Sequence, residues 1–179
     1  MDYIFENGIV VGRFQHIHIG HEKLINIGLS TCKRMLIFID GVNKTGVRNP
    51  FSYEVRKDLI EKIYKSEIDE GRVIIAPLEN LENITLPDPR WGKYVIDSSK
   101  KILGVTPDLI IYGKDKNIFK CFPKDVVRNI SEIMVDRKQI EISATKVREY
   151  LKNDDFENWK KYTNKKIHSK YNKLKEFLN

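Results

Sequence analysis

The chain has 179 residues, of which 41% are hydrophobic and 32% are charged, and its formal net charge is +7. This composition is typical of a folded domain with a core and excludes a disordered, collagen-like or low-complexity chain. No apolar run approaches the roughly 20 residues that span a bilayer, and the N-terminal stretch lacks the features of a signal peptide, so we expect a cytoplasmic protein with no membrane partner.

Short apolar runs alternate along the chain with amphipathic patterns. Strands are predicted at residues 8–11, 35–39, 73–76, 109–112 and 133–135. Helices are predicted at residues 24–32, 51–64, 91–103, 143–151 and 159–178, with Ser52 and Ser143 as the N-caps of two of them. Wholly apolar strands between helices indicate a parallel sheet covered on both faces. The predicted fold class is therefore α/β, a Rossmann-like doubly wound parallel sheet with a C-terminal helical extension.

The predicted domain organisation is simple. We expect residues 1–179 to form a single domain, with residues 156–179 as a Lys-rich helical extension packed on it. Cys32 and Cys121 are isolated in sequence and are predicted to be reduced core thiols. Ligands of such sheets bind beyond the C-terminal strand ends, so the loops after the strands are the candidate sites.

Most of the net positive charge lies at the C-terminal end, where residues 159–179 contain seven lysines and one glutamate. Apolar residues recur there at helical spacing, which predicts a helix with its lysines in water. The stripe consists of Ile167, Tyr171, Leu174 and Leu178. The alternative is a nucleic-acid surface on which Tyr162 and Tyr171 stack bases, and steeply salt-dependent retention on DNA would support it.

The loop after the first strand reads GRFQHIHIGH, residues 12–21, and opens the first helix. A helix N-terminus favours phosphate, and Gly12 and Gly20 allow close backbone approach. His18 and His21 are three residues apart, which places both imidazoles on one side of the first turn. This arrangement suits a polyphosphate. A metal site that includes His16 is the alternative, whereas the P-loop and GxGxxG patterns are absent.

A second loop, residues 142–149 (ISATKVRE), follows the last predicted strand and opens another helix. The hydroxyls of Ser143 and Thr145 and the guanidinium of Arg148 are suited to phosphate oxygens. A capped surface helix explains this segment when it is taken alone. Two such loops at strand-to-helix junctions together favour a phosphate site.

These two loops resemble the GRFQPxHxGH and ISxTxxR signatures of the nucleotidyltransferase superfamily that includes nicotinamide-nucleotide adenylyltransferases. His16 stands where that signature has proline. Residues 49–56 (NPFSYEVR) resemble its NPFSxEER segment, and residues 112–116 with Phe122 and Pro123 resemble its GHxKD…FP stretch. By pattern the chain is similar to the adenylyltransferase half of enzymes fused to a Nudix hydrolase, and we expect it to lack that second domain.

The resemblance implies a nucleotidyltransferase fold and an enzyme that transfers AMP from ATP to nicotinamide mononucleotide, forming NAD and pyrophosphate. It implies catalytic roles for His18, His21 and Arg148. It also implies ATP contacts at Gly12, Arg13, Phe14, Gln15, Gly20, Gly113, Lys114, Asp115, Ser143 and Thr145. Mg²⁺ is expected to enter with ATP, held by phosphates and water rather than by a cage of protein carboxylates.

The expected acceptor-binding residues are Asn49, Arg56, Asp88 and Trp91. Trp91 resembles the tryptophan on which these enzymes stack the nicotinamide ring, and Arg56 is the candidate for the acceptor phosphate; their alternatives are a core aromatic and a solvated helix charge. Asp88, where the archaeal-type pattern has Asn, disfavours a carboxylate acceptor.

Other functions stay open from the sequence alone. The same adenylyl or cytidylyl transfer to nicotinate mononucleotide, phosphopantetheine or FMN is the nearest alternative. A nucleotide-binding module without turnover is a more distant one. The sequence also leaves a homo-oligomer open.

Overall fold

Five parallel strands form one sheet in the structure, a computed structural model that describes residues 2–113, 118–136 and 142–178. The strands are β1 (Phe5–Gly12), β2 (Cys32–Asp40), β3 (Val73–Leu78), β4 (Leu109–Gly113) and β5 (Ser131–Val135). Their order across the sheet is β3-β2-β1-β4-β5, with every neighbouring pair parallel. The predicted strands and the predicted α/β doubly wound class are confirmed.

Side chains that alternate along each strand enter two separate apolar clusters. On β2, Leu36 and Phe38 join the cluster on one face, whereas Ile37 and Ile39 join the cluster on the other. Because every strand residue of this run is apolar, both faces of the sheet exclude water, as a parallel sheet requires. Helices must therefore cover both faces.

Of the helices that cover the sheet, three lie within two residues of the predicted 51–64, 91–103 and 143–151, whereas the helix predicted at 24–32 begins earlier, at Ile19. The helices are α1 (Ile19–Thr31), α2 (Tyr53–Ile63), α3 (Lys65–Asp69), α4 (Pro89–Leu103), α5 (Ala144–Lys152), α6 (Phe156–Lys161) and α7 (Tyr171–Glu176), with 3₁₀ turns at Ile118–Cys121 and Lys165–Lys170. α4 packs on one face of the sheet, and α1, α2 and α5 pack on the other. None of the helices in the described ranges has the length and apolar character that crossing a membrane requires.

The helix N-termini follow the local signals in the sequence. The hydroxyl of Ser52 accepts a hydrogen bond from the Val55 N–H at the start of α2, and that of Ser143 accepts one from the Lys146 N–H at the start of α5. Both predicted N-caps are confirmed. Cys32 and Cys121 are buried free thiols, as predicted.

The prediction of one continuous helix over residues 159–178 is wrong. The chain forms α6, a 3₁₀ turn and α7 instead, because the Tyr162 carbonyl accepts the Ile19 N–H (3.0 Å) and Asn164 caps the 3₁₀ turn. The apolar stripe nevertheless faces the core, since Ile167, Tyr171 and Leu174 are buried. The C-terminal segment, residues 156–178, therefore packs against α2 and α5 through the predicted residues but with a different backbone.

Candidate active site

The candidate site lies where the strand order changes direction. β1 lies in the centre of the sheet, with β2 and β3 on one side and β4 and β5 on the other, so the strand order reverses at β1. The C-terminal ends of β1 and β4, at Gly12 and Gly113, meet at this point of the sheet. A crevice at such a switch in strand order is the usual ligand site of an open α/β sheet.

The turn that follows β1 is tightly folded. Phe14 has a φ of +48° and its ring is buried against Gly12, where an added Cβ would lie 2.9 Å from the ring. A positive φ is uncommon for a bulky residue, so the surrounding contacts must hold this conformation. Gly12 is therefore required for the shape of the turn rather than only for ligand approach.

His18 is the N-cap of α1. Its Nδ1 accepts a hydrogen bond from the Gly20 N–H (3.1 Å). An Nδ1 that accepts must carry no proton, so the neutral ring has its proton on Nε2 and presents a donor at that atom. The same side chain thus satisfies one helix-terminal N–H through Nδ1 and carries its own proton on Nε2.

The two histidines of the turn lie together. The His18 and His21 ring centroids are 4.0 Å apart, and His21 contacts the edge of Phe14 at 4.9 Å. The predicted placement of both imidazoles on one side of the first turn is confirmed. Both side chains are buried, so little water reaches the two rings.

Gln15 fixes the turn against the segment that precedes α2. Its Nε2 donates to the Phe51 carbonyl (2.9 Å), and its Oε1 accepts from the Phe51 N–H (3.0 Å). Both ends of the amide are therefore occupied by main-chain groups. In this conformation the side chain of Gln15, predicted to contact ATP, shapes the turn.

Arg56 is placed differently from the prediction. Its side chain is 1% exposed, and its guanidinium donates to the carbonyls of Arg13 and Asp40, both at 2.8 Å. A buried guanidinium that is already donating to main-chain carbonyls holds the loops at the ends of β1 and β2. The geometry gives Arg56 this structural role in place of the predicted contact with the acceptor phosphate.

The loop at the start of α5 meets the turn directly. Arg148 Nη1 donates to the main-chain carbonyl of Gln15, and Nη2 donates to Thr145 Oγ1 (3.4 Å). Burial lowers the pKa of the Arg148 guanidinium from its ordinary value, while Glu149 opposes that shift. The two predicted phosphate loops, which are more than 100 residues apart in sequence, therefore form one site.

A cavity of about 580 Å³ opens beside Arg148. Asn49, Thr145 and Arg148 line it together with Phe177 of the C-terminal segment. This volume is within the usual range for a small-molecule site. Asn49, which is expected to bind the acceptor, thus lines the same cavity as Thr145 and Arg148 of the second loop.

The sequence analysis did not single out Asp40. This buried residue ends β2, and its carboxylate lies 3.9 Å from Arg13 Nε, while the Arg13 side chain is half-exposed. Burial raises the pKa of Asp40, and the nearby Arg13 opposes the shift. An acidic residue that ends the apolar run MLIFID was the signal available in the sequence.

The predicted residues near α4 are divided. Asp88 is the N-cap of α4, accepts from the Arg90 N–H (2.8 Å) and pairs with the Arg90 guanidinium. Trp91 is only 6% exposed and packs edge-on against Phe122, with ring centroids 5.7 Å apart. The alternative of a core aromatic therefore describes Trp91 in this conformation. Lys114 and Asp115, predicted to contact ATP, lie outside the described residues.

The predicted metal alternative has no support among residues 2–113, 118–136 and 142–178. Within these ranges no group of three or more His, Cys, Asp or Glu side chains has a geometry that would hold a metal ion. The His16 ring contacts Trp159, whose indole N–H donates to its Nε2.

Known proteins resemble this chain in both sequence and structure. The sequence model of the cytidylyltransferase-like family matches residues 9–150. A nicotinamide-nucleotide adenylyltransferase of Thermococcus kodakarensis is 29% identical over 93 residues, which are 51% of this chain and 47% of that protein. One from Archaeoglobus fulgidus is 25% identical over 157 residues, which cover 85% and 82% of the two chains.

A different acceptor also occurs among the relatives. A phosphopantetheine adenylyltransferase of Methanopyrus kandleri is 30% identical over 98 residues, covering 51% of this chain and 60% of that protein. Among solved structures, a bifunctional NMN adenylyltransferase/ADP ribose pyrophosphatase of Francisella tularensis, complexed with AMP and a manganese ion, has a TM-score of 0.71 and 26% identity. The match covers 97% of this chain and 49% of the Francisella chain. The chain therefore spans about half the length of the Thermococcus and Francisella proteins.

Proposed function

The chain belongs to the cytidylyltransferase-like family, and from that premise we propose that it transfers AMP from ATP to nicotinamide mononucleotide, forming NAD and pyrophosphate. The observation that carries the proposal is the contact of Arg148 with the Gln15 carbonyl, which brings the second loop against the His18–His21 turn. The names of the Thermococcus and Archaeoglobus relatives support the acceptor.

The proposed reaction is an in-line displacement at phosphorus. A phosphate oxygen of the mononucleotide attacks the α-phosphorus of ATP and forms the new P–O bond. The bond from the α-phosphorus to the bridging oxygen breaks, and pyrophosphate leaves with that electron pair. Because the acceptor oxygen is already anionic, the protein has only to align the two substrates and neutralise the developing charge.

Each loop has its own part in that task. His18 and His21 donate to oxygens of the reacting phosphates, and the backbone at Gly12 and Gly20 allows them to approach the α1 N-terminus. Arg148, with the hydroxyls of Ser143 and Thr145, holds the leaving pyrophosphate. Arg13, half-exposed beside Asp40, adds positive charge at the rim. Gly113, Lys114 and Asp115 stay predicted ATP contacts.

A divalent cation fits the donor set at this edge of the sheet. Mg²⁺ bound with ATP takes most ligands from phosphate and water and needs one or two protein carboxylates at most. Asp40 offers a buried carboxylate there, and its Oδ1 makes no hydrogen bond within the described residues. The ion would supply charge neutralisation on the phosphates, and Asp40 would hold one of its water ligands.

The acceptor is the less constrained half of the proposal. Asn49 lines the cavity beside Arg148, and Asp88 and Trp91 stand at the start of α4. The packing of Trp91 against Phe122 weakens its use as a stacking wall in this conformation. Together with the Methanopyrus relative, this packing makes phosphopantetheine the second candidate acceptor.

An acceptor panel tests the proposal. The protein is incubated with ATP, Mg²⁺ and, in separate reactions, nicotinamide mononucleotide, nicotinate mononucleotide, phosphopantetheine or FMN, and pyrophosphate release is measured. We expect the highest kcat/KM with nicotinamide mononucleotide. A preference for phosphopantetheine would replace the acceptor but keep the chemistry, and no acceptor-dependent pyrophosphate from any of the four would contradict the function.

A further inference from the structure

His16 is fully buried in a position where its ring can have only one proton arrangement. Its Nδ1 faces the Ile17 carbonyl, which only accepts, so Nδ1 carries the proton. Its Nε2 faces the indole N–H of Trp159 at 3.3 Å, which only donates, so Nε2 is the acceptor. The neutral ring therefore satisfies both neighbours, whereas a protonated ring would set two N–H groups against each other.

Trp159 belongs to the C-terminal segment and is the largest of its buried side chains. It has no exposed surface and lies in edge contact with the His16 ring at 5.7 Å. Phe51, which the Gln15 amide holds, also makes an edge contact with the His16 ring, with centroids 5.8 Å apart. His16 thus lies between the segment before α2 and the C-terminal segment.

Two further hydrogen bonds join the C-terminal segment to the same turn. The Tyr162 carbonyl accepts the Ile19 N–H (3.0 Å), which is one of the N-terminal donors of α1. Asn164 Nδ2 donates to Glu22 Oε2 (2.6 Å) in the first turn of that helix. Together with the indole bond, the contacts fall at residues 16, 19 and 22, on both sides of His18 and His21.

We propose that His16 is a positioning residue, which with Trp159 anchors the C-terminal segment to the His18–His21 turn and so sets the orientation of the two imidazoles. The inference rests on the proposed function for its kinetic readout. It assigns the C-terminal segment a part in the chemistry, in addition to its part in the core, and it gives the residue in the signature's proline position a reason to be histidine.

The electrostatics around His16 agree with a ring that is neutral near pH 7. Burial lowers the pKa of His16 to about 4, the Ile17 carbonyl opposes this shift, and the charge of Arg148 on α5 adds to it. The ring of His168 contacts Trp159, the hydrogen-bond partner of His16, with ring centroids 5.3 Å apart. The ring therefore keeps its two hydrogen bonds through the whole neutral range.

Two substitutions at His16 separate positioning from packing. His16→Gln keeps an oxygen that can accept from the indole N–H, whereas His16→Phe fills the space without an acceptor. Trp159→Phe removes the donor instead. Tyr64→Phe is the matched control, because it deletes a single hydrogen bond, from the Tyr64 hydroxyl to Asn26 Oδ1 (3.2 Å), in the same apolar cluster but at a residue of α1 beyond its first turn.

The kinetic result should follow the hydrogen bond. We expect His16→Phe and Trp159→Phe to lower kcat about three- to tenfold, the effect of one neutral hydrogen bond. His16→Gln and Tyr64→Phe should stay within about twofold of the unchanged protein. Equal kcat in all four variants, with differences in Tm alone, would make His16 a packing residue and overturn the proposal.

A ligand-free measurement keeps this test separate from the proposed function. The ring ¹⁵N signals of His18 and His21 are recorded for each variant without nucleotide. They should shift in His16→Phe and Trp159→Phe and stay in place in Tyr64→Phe. Unchanged ring signals in the first two variants would overturn the positioning role even if the protein is active, and shifted signals in a protein without pyrophosphate release would refute only the proposed function.

Discussion

Replacing His18 by asparagine or by alanine separates its two roles in the structure. The side chain caps α1 through Nδ1, which accepts the Gly20 N–H at 3.1 Å, and offers Nε2–H to the phosphates. Asparagine is among the best N-cap residues but cannot extend a donor to the same place, whereas alanine loses both roles. The pair therefore divides helix capping from catalysis at one position.

The expected magnitudes differ for the two roles. Loss of the cap in His18→Ala should cost about 1 kcal/mol of unfolding free energy, which in a chain of this size lowers Tm by about 2–4 °C. His18→Asn should keep the Tm of the unchanged protein. Loss of a donor to developing charge should lower kcat about 10²- to 10³-fold in both variants, by analogy with single oxyanion-hole donors.

The assay is pyrophosphate release under saturating ATP and nicotinamide mononucleotide, with Tm measured on the same samples. Saturation isolates kcat from binding, and Tm reports the cap. If His18→Asn turns over at close to the unchanged rate, Nε2 makes no contact with the transition state and the assignment of His18 is wrong. A Tm loss in His18→Asn equal to that in His18→Ala would refute the capping geometry.

Four other outcomes are expected. Arg148→Ala should lower kcat/KM about 10- to 100-fold because it removes a charge-assisted donor, and Arg148→Lys should recover part of that loss. The control is Arg72→Ala, which removes a guanidinium bonded to carbonyls at the other end of the sheet. This control should leave kcat and KM unchanged. Trp91→Ala should destabilise the fold by about 3–5 kcal/mol as a core truncation; a rise in acceptor KM alone, in a stably folded Trp91→Phe, would restore the stacking role. Asp40→Asn should raise Tm at pH 7, because burial raises the pKa of the Asp40 carboxyl and its charged form destabilises the fold. The gain in Tm should shrink as the pH falls, because the wild-type carboxyl then becomes protonated and neutral. Acidification from pH 6.5 to about 4 should lower the unfolding free energy by about 3 kcal/mol, at roughly 1.4 kcal/mol per pH unit. The reason is that His16 binds a proton in the unfolded chain over this range, whereas the buried ring, with a pKa of about 4, stays largely neutral. Urea titrations of His16→Phe should lack this decrease.

Local features of the chain were predictable because their causes are local. Each strand is a short run of mostly apolar residues that is visible in the sequence. Each of the N-caps, Ser52 and Ser143, accepts a hydrogen bond from an N–H group only three residues away. The pairing of His18 with His21 follows from helical spacing in the same way. The edge of the sheet that holds the candidate site was also predictable, because the C-terminal ends of parallel strands meet at one edge.

The features that could not be predicted from the sequence depend on contacts between residues that are far apart in the chain. The helix expected over residues 159–178 breaks because the Tyr162 carbonyl is taken by Ile19, which is 143 residues earlier in the chain. Arg56 has the helical pattern of a surface charge, and only the fold shows that the carbonyls of Arg13 and Asp40 surround it. Trp91 likewise looks the same in sequence whether it faces a ligand or Phe122.

Isotope transfer tests the central claim most directly. The protein is incubated with nicotinamide mononucleotide, Mg²⁺ and ATP labelled at either the α- or the γ-phosphorus, and the products are separated by chromatography. Adenylyl transfer predicts the α-label in NAD and the γ-label in pyrophosphate, in equal amounts and both dependent on the acceptor. The α-label in ADP or AMP, or no transfer of label to a dinucleotide, would contradict the account.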